Sequence, residues 1–292
     1  MHKPIPLTRR AAAQTIAGGA LALRSFPLLA NDEQSVPGKY LLASAMYGTL
    51  PLEEVIAEVN KTGAKHLDLW RKPHANHWEQ VGERGEEALT ALLKEHDVQL
   101  GAVTFWKADF ENSLRFAARH GANTVVTGFV PKRNELEAFL KNLQPHIKLA
   151  EESNITLAIE NHGSSFDDIR RFAEATKSDH IGVALAPYHL PQDANELAKL
   201  IGDLGPKLKL FYAWQHGKGC MKKLPKEQEL LQMPGRGELD FAPLMTALRK
   251  IEYNGFIEIF MHPVPRGIPI LSTAKEVTAE INRSRNYLES LS

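Results

Sequence analysis

The sequence is poor in three things, and each shortage excludes a class. It has one cysteine, Cys220, in 292 residues. That excludes an intrachain disulfide and any cysteine-rich zinc site. It has no net charge, with 35 Lys+Arg against 35 Asp+Glu. A dedicated nucleic-acid binder carries a basic face, so nucleic acid is not an expected partner. It also lacks an apolar run of the ~20 residues that a membrane span needs, so no stable span is expected. What remains is ordinary for a globular protein: 43% hydrophobic and 24% charged residues. The length suits one large domain, and α/β barrels often reach ~250 residues as a single unit. A homo-oligomer is compatible with these numbers.

The first 30 residues read as a signal segment rather than as part of the fold. Thr8-Arg9-Arg10 precedes a weakly apolar stretch from Ala11 to Leu23, and Ser25 to Ala30 leads into a polar start at Asn31. This is the pattern of a twin-arginine export signal with cleavage near Ala30, which implies a periplasmic or extracytoplasmic location. Residues 1–30 hold four Lys/Arg and no acid. Removing them leaves 35 − 4 = 31 Lys+Arg against 35 acids, a net charge of −4.

From about residue 38 to 290, strand-like runs alternate with amphipathic helical runs. Strands are expected at 40–47, 65–70, 98–106, 123–130, 155–160, 180–185, 208–214 and 255–260. The matching helices are expected at 52–61, 83–95, 110–119, 134–152, 166–175, 194–201, 241–251 and 274–288. Strands alternating with helices of ~10–15 residues indicate a parallel sheet. Eight such units predict a closed (β/α)8 TIM barrel. The first strand is followed by Met46-Tyr47-Gly48-Thr49-Leu50-Pro51, with a single glycine. An open nucleotide-binding sheet usually carries a glycine-rich loop there. The segment from Gln215 to Leu239 reads as one long irregular loop over the barrel mouth.

Two glutamates stand out. Glu160 ends the run Ile155–Ile159, and Glu258 ends Gly255-Phe256-Ile257, about 100 residues later. A carboxylate at the tip of a buried strand is costly without a partner. Parallel barrels place their chemistry at that tip, so one shared site is expected. It would hold a divalent metal or a polyhydroxylated ligand. His162, His189, His216 and His262 follow the fifth to eighth strands, and imidazole suits Zn, Mn or Co. Singly, each is more often an ordinary hydrogen-bonded side chain. Trp70, Trp106 and Trp214 end three strands, where flat indoles can stack on a sugar ring.

With these residues in view, the chain resembles the xylose isomerase-like TIM-barrel family, which includes sugar-phosphate isomerases/epimerases and ketose 3-epimerases. The segments that carry the resemblance are Leu157–Gly163, Gly182–Leu190, Pro234–Asp240 and Tyr253–Glu258. The resemblance implies one divalent metal (Mn, Mg, Co or Zn) on a Glu, an Asp, a His and a Glu from strands five to eight. It also implies that the two glutamates act as acid and base on opposite faces of a sugar. Glu160 and Glu258 match those positions, and His189 matches a substrate-contacting histidine. Ala186 stands where an aspartate is expected, and Tyr212 where a histidine is expected. His162, His216 and His262 are the candidate substitute ligands. In a metal-free site, Lys209, Arg236 or a histidine would stabilise the enediolate.

The expected function is an exported sugar isomerase or epimerase-like enzyme, or a related sugar lyase. It would act by proton abstraction next to a carbonyl. Glu160 and Glu258 would be catalytic or metal-binding. His189, Arg236, Trp70, Trp106 and Trp214 would bind a small-molecule sugar or sugar derivative. The alternative is a non-catalytic carbohydrate-binding barrel that has lost its metal.

Overall fold

The computed structural model describes residues 36–106, 109–216 and 222–291. Residues 1–30, where an export signal is expected, and Cys220 lie outside the described residues. Eight parallel strands close into a barrel in sequential order, β1 to β8. They are Lys39–Ala43 (β1), His66–Trp70 (β2), Gln99–Phe105 (β3), Thr124–Thr127 (β4), Thr156–Glu160 (β5), Ile181–Leu185 (β6), Leu208–Ala213 (β7) and Phe256–Ile259 (β8). Most are short apolar runs rich in Val, Ile and Leu, because both their faces are covered. Around them run Leu52–Val59 (α1), His77–Arg84 (α2), Glu86–Glu95 (α3), Phe110–Arg119 (α4), Leu136–Glu152 (α5), Phe166–Ala175 (α6), Ala194–Leu204 (α7), Lys226–Glu229 (α8), Ala242–Lys250 (α9) and Ala274–Glu289 (α10).

Local chemistry sets several boundaries. Ser165 and Asp168 form a capping box that starts α6, and Thr273 with Glu276 does the same for α10. Asp193 accepts from two backbone N–H groups at the start of α7. Where the structure departs from the sequence pattern, the causes are local. The first strand stops at Ala43 and gives way to a 3-10 turn over Ser44–Tyr47. The helix expected at 83–95 is two helices, α2 and α3, broken at Gly85 with φ 92°. The segment 215–239 is not wholly irregular, since it contains α8 and a 3-10 turn over Leu230–Gln232.

Gly182 on β6 shows how tightly the barrel closes. A Cβ there would sit 2.2 Å from the Lys207 carbonyl oxygen that precedes β7. The barrel interior is filled rather than hollow: the inward-facing Ala102, Val126, Ala158, Ala184 and Leu210 are all fully buried. Among the described residues no helix is long and apolar enough to cross a membrane.

Candidate active site

Three carboxyl groups meet inside the C-terminal half of the barrel: Asp68 from β2, Glu160 from β5 and Glu258 from β8. Their exposures are 0%, 2% and 0%. Burial at this depth is tolerable for a carboxylate only if a partner or a proton neutralises it. Glu160 has a partner. Its Oε1 lies 3.1 Å from Nε2 of His189. That histidine is held in place by Asn161, which clips the end of β6. Asn161 Oδ1 accepts from the Ala186 N–H at 2.6 Å, and its Nδ2 donates to the Ala186 carbonyl at 3.1 Å. The clip leads directly into the 3-10 turn Pro187–His189 that carries the imidazole.

Asp68 and Glu258 have a different solution. Thr104 Oγ1 donates to Asp68 Oδ2 at 2.5 Å. Asp68 Oδ1 and both Glu258 carboxyl oxygens are buried with no donor at bonding geometry. The two carboxyls lie in hydrogen-bond reach of each other, so a shared proton satisfies the pair. Burial lifts Asp68 to about 7, and the Thr104 hydroxyl offsets only part of that. Burial first, then the charges of Asp68 and Glu160, hold Glu258 well above the usual carboxylate range. Burial also raises Glu160, against the pull of His189.

Tyr212 on β7 is the register partner of Glu258. It is 1% exposed, and its hydroxyl is buried without a hydrogen bond. Burial, followed by the charges of Glu258, Glu160 and Asp68, raises its pKa well above the ordinary value. The phenol therefore stays protonated and is an O–H donor among three carboxyls, beside the Thr104 side chain.

Two residues further along each strand stands a layer of rings, as the strand period requires. Asp68 is followed by Trp70, Thr104 by Trp106, Glu160 by His162, Tyr212 by Trp214 and Glu258 by Phe260. Trp70 stacks on Phe260 with centroids 4.9 Å apart and planes at 14°. Trp214 meets Phe260 edge-on at 5.0 Å and stacks on Tyr188 at 3.7 Å. This layer covers the Asp68–Glu258 pair. Outside it runs an arc of imidazoles. His74 lies 4.4 Å from His262, and His162 lies 4.3 Å from His189, as ring centroids. Trp106 touches both His74 and His162 and so joins the two pairs. Burial, with Arg266 and the neighbouring imidazoles adding repulsion, lowers His74 to about 3 and His162 to about 4. His262 is pushed well below its ordinary value for the same reasons.

The structure thus brings together Glu160, Glu258, His189, Trp70, Trp106, Trp214, His162 and His262. It does not bring in Arg236, whose guanidinium forks onto both Glu280 oxygens on α10 at 2.7 and 2.6 Å. Lys209 is the second residue of β7 and lines a cavity with Lys39 and Asn123 at the opposite end of the barrel. His216 is exposed beyond the mouth, its backbone N–H bonded to Gln192. Arg71 is paired with Asp109 and lies over Trp78.

Asp68 and Thr104 carry the site without having been singled out in the sequence. Asp68 carried a readable signal, a lone carboxylate between Leu67 and Leu69 in an apolar strand. It was obscured because it sits inside β2 rather than at its tip.

The donor set does not fit the divalent metal that the resemblance implies. Ala186 offers no oxygen from its side chain, and Tyr212 offers a neutral phenol in place of an imidazole. Glu160 is engaged by His189. Among the described residues, no three His, Cys, Asp or Glu side chains are arranged to hold a metal ion.

Residues 56–283 match the family described as "Xylose isomerase-like TIM barrel". No curated protein sequence is significantly similar to the chain. Among solved structures, a xylose isomerase domain protein from Alicyclobacillus acidocaldarius shares 17% identity with a TM-score of 0.61, covering 87% of this chain and 98% of that one. D-psicose 3-epimerase from Clostridium cellulolyticum H10 shares 14% identity with a TM-score of 0.65, covering 87% and 99%. A probable 3-DHS dehydratase from Bacillus anthracis shares 13% with a TM-score of 0.61, covering 83% and 97%. At these identities the likeness is one of fold.

Proposed function

We propose that this chain, which belongs to the xylose isomerase-like TIM-barrel family, is an isomerase- or epimerase-like enzyme acting on a small sugar or sugar derivative. The reaction is proton transfer at a carbon next to a carbonyl. Glu160 takes the proton, with His189 orienting its carboxylate. Burial raises the basicity of Glu160, which suits it to a weakly acidic C–H. The Tyr212 hydroxyl donates to the carbonyl oxygen and stabilises the enediolate. The protonated Asp68–Glu258 pair returns a proton from the other side. The aromatic layer supplies ring faces for stacking and excludes water from the charges beneath it. This reading requires the Trp70–Phe260 stack, 1% exposed at each ring, to move aside for the carbonyl to meet Tyr212.

The single observation that carries this reading is the unpartnered Tyr212 hydroxyl among three buried carboxyls. It supplies, from the chain itself, the electrophile that a metal would otherwise provide. Epimerase and dehydratase neighbours on the same fold support the reaction class. The Arg9-Arg10 pair, read as a twin-arginine signal, supports a place outside the cytoplasm. The test is exchange of a carbon-bound proton with solvent deuterium, followed by NMR over a panel of ketoses, aldoses and their oxidised derivatives. Exchange is expected for at least one sugar and is expected to vanish in Glu160→Gln. Exchange that survives Glu160→Gln unchanged rules out Glu160 as the base.

A further inference from the structure

A second cavity adjoins the mouth where β3, β4 and β5 end. It encloses about 550 Å³, within the ~300–1,000 Å³ usual for small-molecule sites. Its walls include Trp106, Phe110, Phe129, Phe139 and His162, and Lys132 and Glu135 line it as well. Phe129 is 46% exposed, one of two large apolar side chains left open among the described residues. Its half-exposed ring at the wall of an aromatic cavity offers a face on which a ligand ring can stack.

The cavity adjoins the site through shared walls. Trp106 lies 5.6 Å from Phe129 with planes at 31°, and 6.3 Å from Trp70. His162 packs against Phe129 at 4.9 Å and against His189 at 4.3 Å. Trp106 and His162 are therefore walls of both spaces. The indole N–H of Trp106 is buried and has no hydrogen-bond partner. Aromatic walls with Lys132 and Glu135 beside them suit a ring that has an apolar face and hydroxyls around its rim. A flat aryl group would be better held between two parallel rings.

We infer that this cavity is a subsite for a second pyranose ring, so that the ligand is a disaccharide or similar glycoside rather than a free monosaccharide. The inference rests on the reading that the mouth takes a sugar. The second ring stacks on Phe129 and Trp106, while Lys132, Glu135 and His162 meet its hydroxyls. The first ring then lies toward Glu160 and His189.

The experiment is calorimetric titration of the full chain and of Phe129→Ala with methyl hexosides and with disaccharides of glucose, galactose, mannose and xylose. Phe129 is exposed enough for the variant to fold, and an unchanged melting temperature verifies that. The unaltered chain is expected to bind at least one disaccharide about tenfold tighter than the matching methyl glycoside. Phe129→Ala should erase that preference and leave methyl-glycoside binding within about twofold. Equal affinity for both classes, equal loss of both in the variant, binding of aryl glycosides alone, or no saccharide binding would each overturn the inference. Proton exchange is read separately. Its absence alongside an intact, Phe129-dependent disaccharide preference would reject the catalytic reading and keep the subsite.

Discussion

Replacing Asp68 with Asn tests the idea that two buried carboxyls share one proton. The ordinary Asp value is 3.8, and burial lifts Asp68 to about 7. Roughly three units at ~1.36 kcal/mol each give an upper bound of about 4 kcal/mol. The folded value is raised, so the folded chain holds a proton that the unfolded chain releases. The stability this contributes is fully present below pH 3.8 and is lost as pH rises through about 7. Asp68→Asn keeps the shape, cannot ionise, and places an amide N–H against Glu258. Its stability relative to the native chain should therefore improve steadily from pH 4 to 8, by up to about 4 kcal/mol. For a chain of this size each kcal/mol moves the melting temperature by roughly 2–4 °C. Urea unfolding of both proteins at one-unit pH steps measures the gap directly. Parallel stability curves across that range, or a gap that favours the variant most at low pH, would refute the shared proton.

Tyr212→Phe removes a hydroxyl that has no partner, so stability should change by no more than about 1 kcal/mol. The rate of proton exchange should fall by about 10²–10³, because an oxyanion donor is lost; a Tyr212→Phe enzyme with the native rate removes the phenol from the mechanism. Gln232 ties the segment after the seventh strand to the barrel by accepting from Trp214 Nε1 and the His262 N–H and by donating to the His262 carbonyl. Gln232→Ala leaves two buried donors unpaired and should cost about 2–4 kcal/mol, with faster tryptic cleavage at Lys222, Lys223 or Lys226; an unchanged cleavage rate argues against that anchoring. Changing both Arg9 and Arg10 to Lys should hold the protein in the cytoplasm, and fractionation of the producing cells checks this. Continued export of that variant would show that the arginine pair is not the signal.

The barrel was legible in the chain because its grammar is local. Eight apolar runs alternate with eight amphipathic ones, and a parallel strand must be followed by a covering helix. The glutamates were legible for the same reason, since a carboxylate ending an apolar run is rare whatever lies around it. Glu160 and Glu258 were visible in this way. Asp68 broke the same rule, but inside a strand, where an isolated polar residue reads as noise. The break of one expected helix at Gly85 was likewise a local signal that the amphipathic pattern on either side concealed.

The sequence by itself determined which strands exist, which residues stand near their tips, and that Ala186 and Tyr212 occupy the positions where the resemblance implies an aspartate and a histidine. Only the tertiary structure decided what meets. Asp68 and Glu258 are 190 positions apart in the chain, yet barrel closure sets both beside β1, where Ala43 pairs with Asp68 and Leu41 with Glu258. It turned Arg236 outward onto Glu280 and left the Tyr212 hydroxyl alone among carboxyls. The physical reason is that strand formation follows from side-chain pattern over a few residues, while burial, proton sharing and ring stacking depend on register and closure. Those are settled across the whole barrel at once.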